Sequence, residues 1–334
     1  MRTFAIVTAA VLLVFAAPAG AATSDPHFGR QWGLVTIQAE QAWTTADGTG
    51  ALIAVVDSGV DLGHPDLASK LVTLPGADFS DGRDADGPQD ENGHGTHVAG
   101  IAGAITNNGV GVAGAAPGAR IMPVRVLDAG GSGTTDQVAA GIRFAADNGA
   151  DVINLSLGFL SGADKVIKIL GELDPVYEAI DHAWSSGATV VVAAGNDTFP
   201  LCAEPSAHPR VVCVGATDMR DLRSFFSNGD ATLMSQYLVA PGGDALSCSG
   251  DVFSTYLRSE EPTCSPEAEY EAIAGTSMAA PHVAGVAGLL AGKGLTNQQI
   301  VDCLTSTTDD LGIPGRDPIF GYGRVNALKA VTGC

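Results

Sequence analysis

Apolar residues in this chain gather into short unbroken runs separated by longer amphipathic stretches. Ala51-Leu52-Ile53-Ala54-Val55-Val56 is apolar without alternation, the pattern of a strand covered on both faces. Runs of the same kind cover Ile121 to Leu127, Val152 to Leu157, Thr189 to Ala194 and Val211 to Val214. Helical spacing falls between them, over His94 to Ile105, Thr134 to Asn148 and Asp174 to Ser186. Thr134 and Gln137 stand at capping-box spacing. So do Thr296 and Gln299 at the head of a helix to Leu304, and a short helix is predicted from about Asn326. Buried strands alternating with helices predict an α/β fold: one domain with a doubly wound, mostly parallel sheet and helices on both faces.

Such sheets bind ligands at the carboxyl ends of their strands. Three polar clusters stand there: Asp57, Ser156-Leu157-Gly158 and Gly195-Asn196-Asp197. A fourth stretch, Gly275-Thr276-Ser277-Met278-Ala279-Ala280-Pro281-His282-Val283-Ala284-Gly285, reads as a turn opening into a buried helix. Ser277 would lie at its N-terminus and Pro281 in its first turn. A hydroxyl there faces free backbone N–H groups and the positive pole of the helix, where an oxyanion is stabilised. Alone, Ser277 reads equally well as a helix cap. Asn92-Gly93-His94-Gly95-Thr96-His97 sets two histidines three apart without the glutamate or spacing of a zinc helix. The glycines flanking His94 predict open space beside it. Gly109 to Gly114 fits G-x-G-x-x-G, but a helix precedes it and a strand follows, the reverse of a dinucleotide site.

With 334 residues, 46% of them hydrophobic and 16% charged, the chain suits one large core rather than a disordered or coiled-coil protein. Residues 1–21 read as a secretory signal: Arg2, the apolar Ala5 to Ala17, then Ala19-Gly20-Ala21. That segment is short for a membrane span and none follows. The rest, from Asp25 to Cys334, is expected to be exported as one domain. A net charge of −20 argues against nucleic acid and suits solubility and divalent cations. Six cysteines fit an oxidising compartment and lack zinc-ligand spacing. Neighbour pairing, Cys202–Cys213, Cys248–Cys264 and Cys303–Cys334, is expected because each pair closes a local excursion.

The parts assemble in the order Asp57…His94…Ser277, with Asn196 before the serine. Serine is a weak nucleophile until a neighbouring base takes its proton, and histidine serves when a carboxylate holds its other nitrogen. An amide N–H can meet the developing oxyanion. On Val55-Val56-Asp57-Ser58-Gly59, His94-Gly95-Thr96-His97-Val98-Ala99-Gly100, Ala193-Ala194-Gly195-Asn196 and Gly275 to His282, the chain resembles the subtilisin-like serine proteases (subtilases), especially thermitase-like members. The resemblance runs from about Asp25 to Ala330. It implies a secreted endopeptidase that cuts proteins and peptides through an acyl-enzyme. Asp57 would orient, His94 act as general base, Ser277 attack and Asn196 bind the oxyanion. Ser156-Leu157-Gly158 and Gly131-Ser132-Gly133 would pair with extended substrate, one on each side. Gly195 and Asp197 would border the primary pocket, Asp197 favouring basic or neutral over acidic side chains. The segment from Phe159 to Pro175, longer than in relatives, would alter the pocket wall. His97 and His282 would be structural.

The same resemblance implies structural calcium. A strong site would use Asp25, Asp66 and Asn108 with the carbonyls of Ile105, Val110 and Val112, an all-oxygen set. A second would use Asp78, Asp81, Asp84, Asp86 and Gln89 in a loop slightly longer than the family's. Many subtilases carry a pro-domain; here the signal meets Thr23-Ser24-Asp25-Pro26, which already matches a mature start, so none is expected. A monomer without nucleic-acid partners is expected. A catalytically silent subtilase fold, binding partners in a calcium-dependent way, is the alternative; it would be expected to have lost one of the four residues, and this chain has all of them. An α/β-hydrolase would need G-x-S-x-G and another chain order.

Overall fold

The computed structural model describes residues 23–80, 87–158 and 173–334. The expected signal segment, most of the stretch between Phe159 and Pro175, and Asp81, Asp84 and Asp86 lie outside these residues.

Six strands form one parallel sheet: β1 (Leu52–Asp57), β2 (Arg120–Arg125), β3 (Val152–Leu155), β4 (Thr189–Ala193), β5 (Val211–Thr217) and β6 (Gln236–Pro241), in the order β2-β1-β3-β4-β5-β6. From β1 the chain winds first to β2 and then back to β3 on the other side. The reversal opens a crevice at the carboxyl ends of β1 and β3. β7 (Val252–Thr255) and β8 (Tyr270–Ile273) form a separate antiparallel hairpin. The helices are α1 (Trp32–Thr36), α2 (Ala39–Ala42), α3 (His94–Gly103), α4 (Thr135–Asp147), α5 (Asp174–Ser185), α6 (Thr276–Gly292), α7 (Asn297–Ser306) and α8 (Ala327–Gly333). Both expected capping boxes form: Thr134 with Gln137 on α4, and Thr296 with Gln299 on α7.

Every residue of β1 is buried because alternate side chains enter two different cores. Ile53 and Val55 pack with Val98 and Ile101 of α3 and Val283 and Ala287 of α6. Leu52, Ala54 and Val56 pack with Val138 and Ile142 of α4 and Ile180 of α5. Each fully buried aliphatic side chain contributes about 1.5–3 kcal/mol relative to an exposed one. The unbroken apolar runs are thus the signature of a sheet covered on both faces.

α6 is apolar on all sides, as a helix through the middle of a core must be. From Thr276 to Leu290 each of its residues is buried except Ser277. Pro281 is the sixth residue of α6 and so lies in the second turn, not the first as its spacing had predicted. Its missing N–H would have bonded the Ser277 carbonyl. The Ser156 hydroxyl, at the end of β3, donates to that carbonyl instead, at 2.7 Å.

The disulfides are Cys202–Cys213, Cys248–Cys264 and Cys303–Cys334, the neighbour pairing expected from sequence. Among the described residues no helix is long and apolar enough to cross a membrane.

Candidate active site

β1 delivers Asp57 at its last position, completely buried. One carboxylate oxygen accepts the Ser58 N–H at 2.8 Å and lies 2.7 Å from His94 Nδ1. His94 is the first residue of α3 and about a quarter of its side chain is exposed. Burial acts against the imidazolium, but the charge and hydrogen bond of Asp57, with the charge of Asp90 behind, outweigh it and raise the His94 pKa. The neighbouring histidines behave differently. Burial pulls His97 down to about 3 and His282 to about 4, so both are neutral packing residues near neutral pH.

The glycines around His94 serve close packing, not open space. A Cβ on Gly93 would lie 2.5 Å from the Tyr256 ring, and one on Gly95 would lie 2.1 Å from the Gly59 carbonyl oxygen. Tyr256 and the Gly59 turn fill the volume that the sequence had suggested was empty.

Ser277 stands one residue inside α6. Its hydroxyl donates to the Ser156 carbonyl at 3.0 Å and makes no hydrogen bond to His94. The start of α6 is closed by bonds that spare one donor. Thr276 N–H goes to Asn196 Oδ1, and the Met278 and Ala279 N–H groups return to the Gly275 carbonyl. The Ser277 N–H has no partner among the described residues. Asn196 Oδ1 also accepts the Thr276 hydroxyl at 3.0 Å, which leaves the amide NH₂ of exposed Asn196 as its outward end. The Ser277 nitrogen and the Asn196 Nδ2 both lie beside Gly275, 3.6 and 3.7 Å from where a Cβ on that glycine would stand.

A pocket of about 240 Å³ opens beside Ser277, with Leu157, Gly158, Ala193 and Ala203 among its walls and Gly195, Asn196 and Asp197 along its border. Ser156 is buried behind it, its hydroxyl fixed between Asn154 and Ser277. On the opposite bank, Ser132 is closed on Asp128 through both its N–H and its C=O. Gly131 and Gly133 on either side are exposed, and the Gly131 N–H also donates to the Asp128 carbonyl at 2.9 Å.

Three side chains of the first expected cation site, Asp25, Asp66 and Asn108, lie together. Asp25 and Asp66 are buried, and Asn108 bonds both: its backbone N–H to Asp25 at 3.1 Å and its Nδ2 to Asp66 at 2.7 Å. The carbonyls of Ile105, Val110 and Val112 accept no hydrogen bond among the described residues. Burial raises the Asp66 pKa despite donors from Asn108, Val112 and Tyr270. Two buried carboxylates, an amide and three idle carbonyls fit a hard, oxygen-seeking cation. Of the second set only Asp78 and Gln89 are among the described residues. Asp78 turns onto Ser80 and lies 3.8 Å from Arg125, and Gln89 spends its side chain on the backbone of Leu62 and Asp90. Its other members, Asp81, Asp84 and Asp86, lie outside the described residues.

The sequence pattern of the subtilase family matches residues 48–323. The chain is a subtilase. It is 44% identical to "Thermitase" of Thermoactinomyces vulgaris over 92% of this chain and 98% of that protein. It is 42% identical to a "Thermophilic serine proteinase" of a Bacillus species, covering 92% of this chain and 69% of the relative. Among solved structures, a protease of Pseudoalteromonas arctica superposes with a TM-score of 0.78 at 34% identity, over 94% of this chain and 99% of the other. A lanthipeptide protease gives 0.79 at 27% identity with the same coverage, 94% and 99%. This subtilase is accordingly a subtilisin-like serine endopeptidase.

Two residues that shape the subtilase's site escaped the motif reading. Buried Asp90 accepts from the Ser58 hydroxyl, from Asn92 and Gly93 N–H, and from Thr96 N–H and hydroxyl, all within 3.0 Å. It thereby fixes the first turn of α3 against β1. The only signal was an acidic residue four positions before His94. The other is Asn228, an asparagine in a loop far along the chain.

Proposed function

We propose that this subtilase is a secreted endopeptidase that cleaves peptide bonds in proteins through an acyl-enzyme formed on Ser277. The observation that carries the reading is the 2.7 Å contact between His94 Nδ1 and buried Asp57, set beside the one residue of α6 between Thr276 and Leu290 that is not buried, Ser277. As Ser277 Oγ attacks the scissile carbon, its proton passes from the bond with the Ser156 carbonyl to His94 Nε2. Asp57 holds the Nδ1–H and stabilises the imidazolium, the arrangement known from subtilisin. The carbonyl oxygen gains negative charge and is met by the Asn196 NH₂ and the Ser277 N–H. His94 then gives the proton to the departing amine, the C–N bond breaks, and water repeats the sequence to release the acid. The apolar pocket walls with Asp197 at the border support uncharged or basic side chains before the cleaved bond. Residues 1–21 and three disulfides support export.

A fluorophosphonate, which phosphonylates an activated serine oxygen with loss of fluoride, is expected to add once per molecule, on the peptide containing Ser277, with casein cleared by the unlabelled protein. An adduct on another serine would remove the reading.

Asp25, Asp66, Asn108 and the carbonyls of Ile105, Val110 and Val112 would hold a calcium ion, which supplies charge balance for the buried carboxylates and ties the N-terminal segment to the loop before β2. Calcium at 100 times its dissociation constant is expected to stabilise the fold by about 2.7 kcal/mol. Thermal melts with and without chelator measure it. Asp66→Asn should melt at the same temperature in both, and a calcium shift equal to that of the parent would exclude this site.

A further inference from the structure

Asn228 lies in the loop between β5 and β6 and has no exposed surface. Every polar atom of its side chain is engaged on the segment that carries Asn196. Its Nδ2 donates to the Ala194 carbonyl at 3.0 Å. Its Oδ1 accepts two N–H groups beyond Asn196, from Asp197 at 3.0 Å and Phe199 at 2.8 Å. Its backbone N–H donates to the Gly195 carbonyl at 2.9 Å. The residue thus grips the chain on both sides of Asn196 without touching the atoms that would meet substrate.

The amide is the one side-chain chemistry that satisfies this set. Ala194 offers an oxygen and requires a donor, while Asp197 and Phe199 offer N–H groups and require an acceptor. A carboxylate would set an oxygen against the Ala194 carbonyl, and a serine hydroxyl is too short to span both sides. Gly195 completes the fit. It adopts φ +101°, and a Cβ there would stand 2.5 Å from Asn228 Nδ2, so the turn is held as close to the amide as glycine permits.

From this geometry we infer that Asn228 is a positioning residue for the oxyanion donor: it fixes the Gly195–Phe199 turn so that the Asn196 NH₂ stands where the negative charge develops. Thr276 orients the Asn196 side chain from the α6 side, and Asn228 sets the backbone from which that side chain springs. Donor placement matters because a preorganised hydrogen bond acts on the transition state only at the right distance, and a displacement near 1 Å can cost on the order of 10²-fold in rate.

The inference rests on the reading of Asn196 as oxyanion donor, and a double-mutant cycle separates the two. Asn196→Ala, Asn228→Ser and the double variant are purified, counted by active-site titration with the fluorophosphonate, and assayed on a chromogenic peptide amide. Asn196→Ala alone should lower kcat on the order of 10²–10³-fold. Asn228→Ser should lower kcat on the order of 10-fold or more while KM stays within about twofold, since its partners lie on the donor turn. In the Asn196→Ala background the same change should cost less than about twofold in kcat, the non-additivity of residues acting through one another. Equal factors in both backgrounds, or an unchanged kcat in the single variant, would overturn the positioning role alone. An unchanged kcat in Asn196→Ala would remove the oxyanion reading and this inference together. Asn228→Asp keeps the side-chain volume and the two acceptor contacts, and it is read in the same cycle should the serine variant fail to accumulate as titratable protein.

Discussion

Ser277→Ala is expected to reduce kcat on a peptide substrate on the order of 10⁶-fold, the size of loss known for removal of the nucleophile from subtilisin. The change deletes the only atom able to form the acyl bond at the start of α6. It should leave the fold intact. The hydroxyl is partly exposed and makes a single hydrogen bond, to the Ser156 carbonyl, so the cost in stability should stay within about 1.5 kcal/mol. A residual rate above water is expected, because the Asn196 and Ser277 N–H donors and the pocket remain. Steady-state assays on protein whose melting temperature matches the parent would check this. A variant within tenfold of the parent would remove Ser277 from the chemistry.

Asp57→Asn should cost on the order of 10⁴-fold in kcat, the loss such a change causes in the Asp–His–Ser triad generally. The amide fills the same space, yet it can present an N–H to His94 Nδ1 and so favour the tautomer whose Nε2 already carries a proton. The pH profile gives a second readout. His94 works as a base only when neutral, so kcat/KM falls as pH drops through its pKa. The charge of Asp57 is the main influence raising that pKa, with Asp90 behind it and burial opposing both. Without the Asp57 charge the acid limb of kcat/KM should move to lower pH. An acid limb that stays in place would mean that Asp57 does not set the ionisation of His94.

Strands β1 to β5 of the parallel sheet could be read directly because they are covered on both faces, which leaves apolar runs such as Leu52 to Val56 without interruption, whereas β6 (Gln236–Pro241) was not foreseen. The β7–β8 hairpin could not, since its polar residues point inward. Ser254 and Thr255 donate to the His97 and Thr96 carbonyls of α3, and the Glu271 carboxylate accepts the Thr263 and Cys264 N–H groups. Buried polar residues satisfied by backbone erase the alternation that betrays a strand. The candidate residues Asp57, His94, Asn196 and Ser277 stand in four local motifs of the sequence. What those motifs omit is the scaffolding supplied from far along the chain. Asn228 reaches across 31 residues to Asp197, and Tyr256 fills the volume beside Gly93, and neither contact has a local pattern. Pro281 shows the same limit from the other side: its tolerance in the second turn depends on Ser156, which lies 121 residues from the carbonyl it rescues.

The solvent-shielded course of α6 has a kinetic corollary. Amide protons along Val283 to Leu290 are expected to exchange with deuterium only when the whole molecule opens, since each of these residues is buried and only the last residue of the helix, Gly292, is exposed. The proposed attacking alcohol of Ser277 would then be mounted on a segment expected to open late. Thermal inactivation measured under calcium should then track cooperative unfolding, without an earlier phase in which a loosened catalytic loop fails while the remaining globule survives.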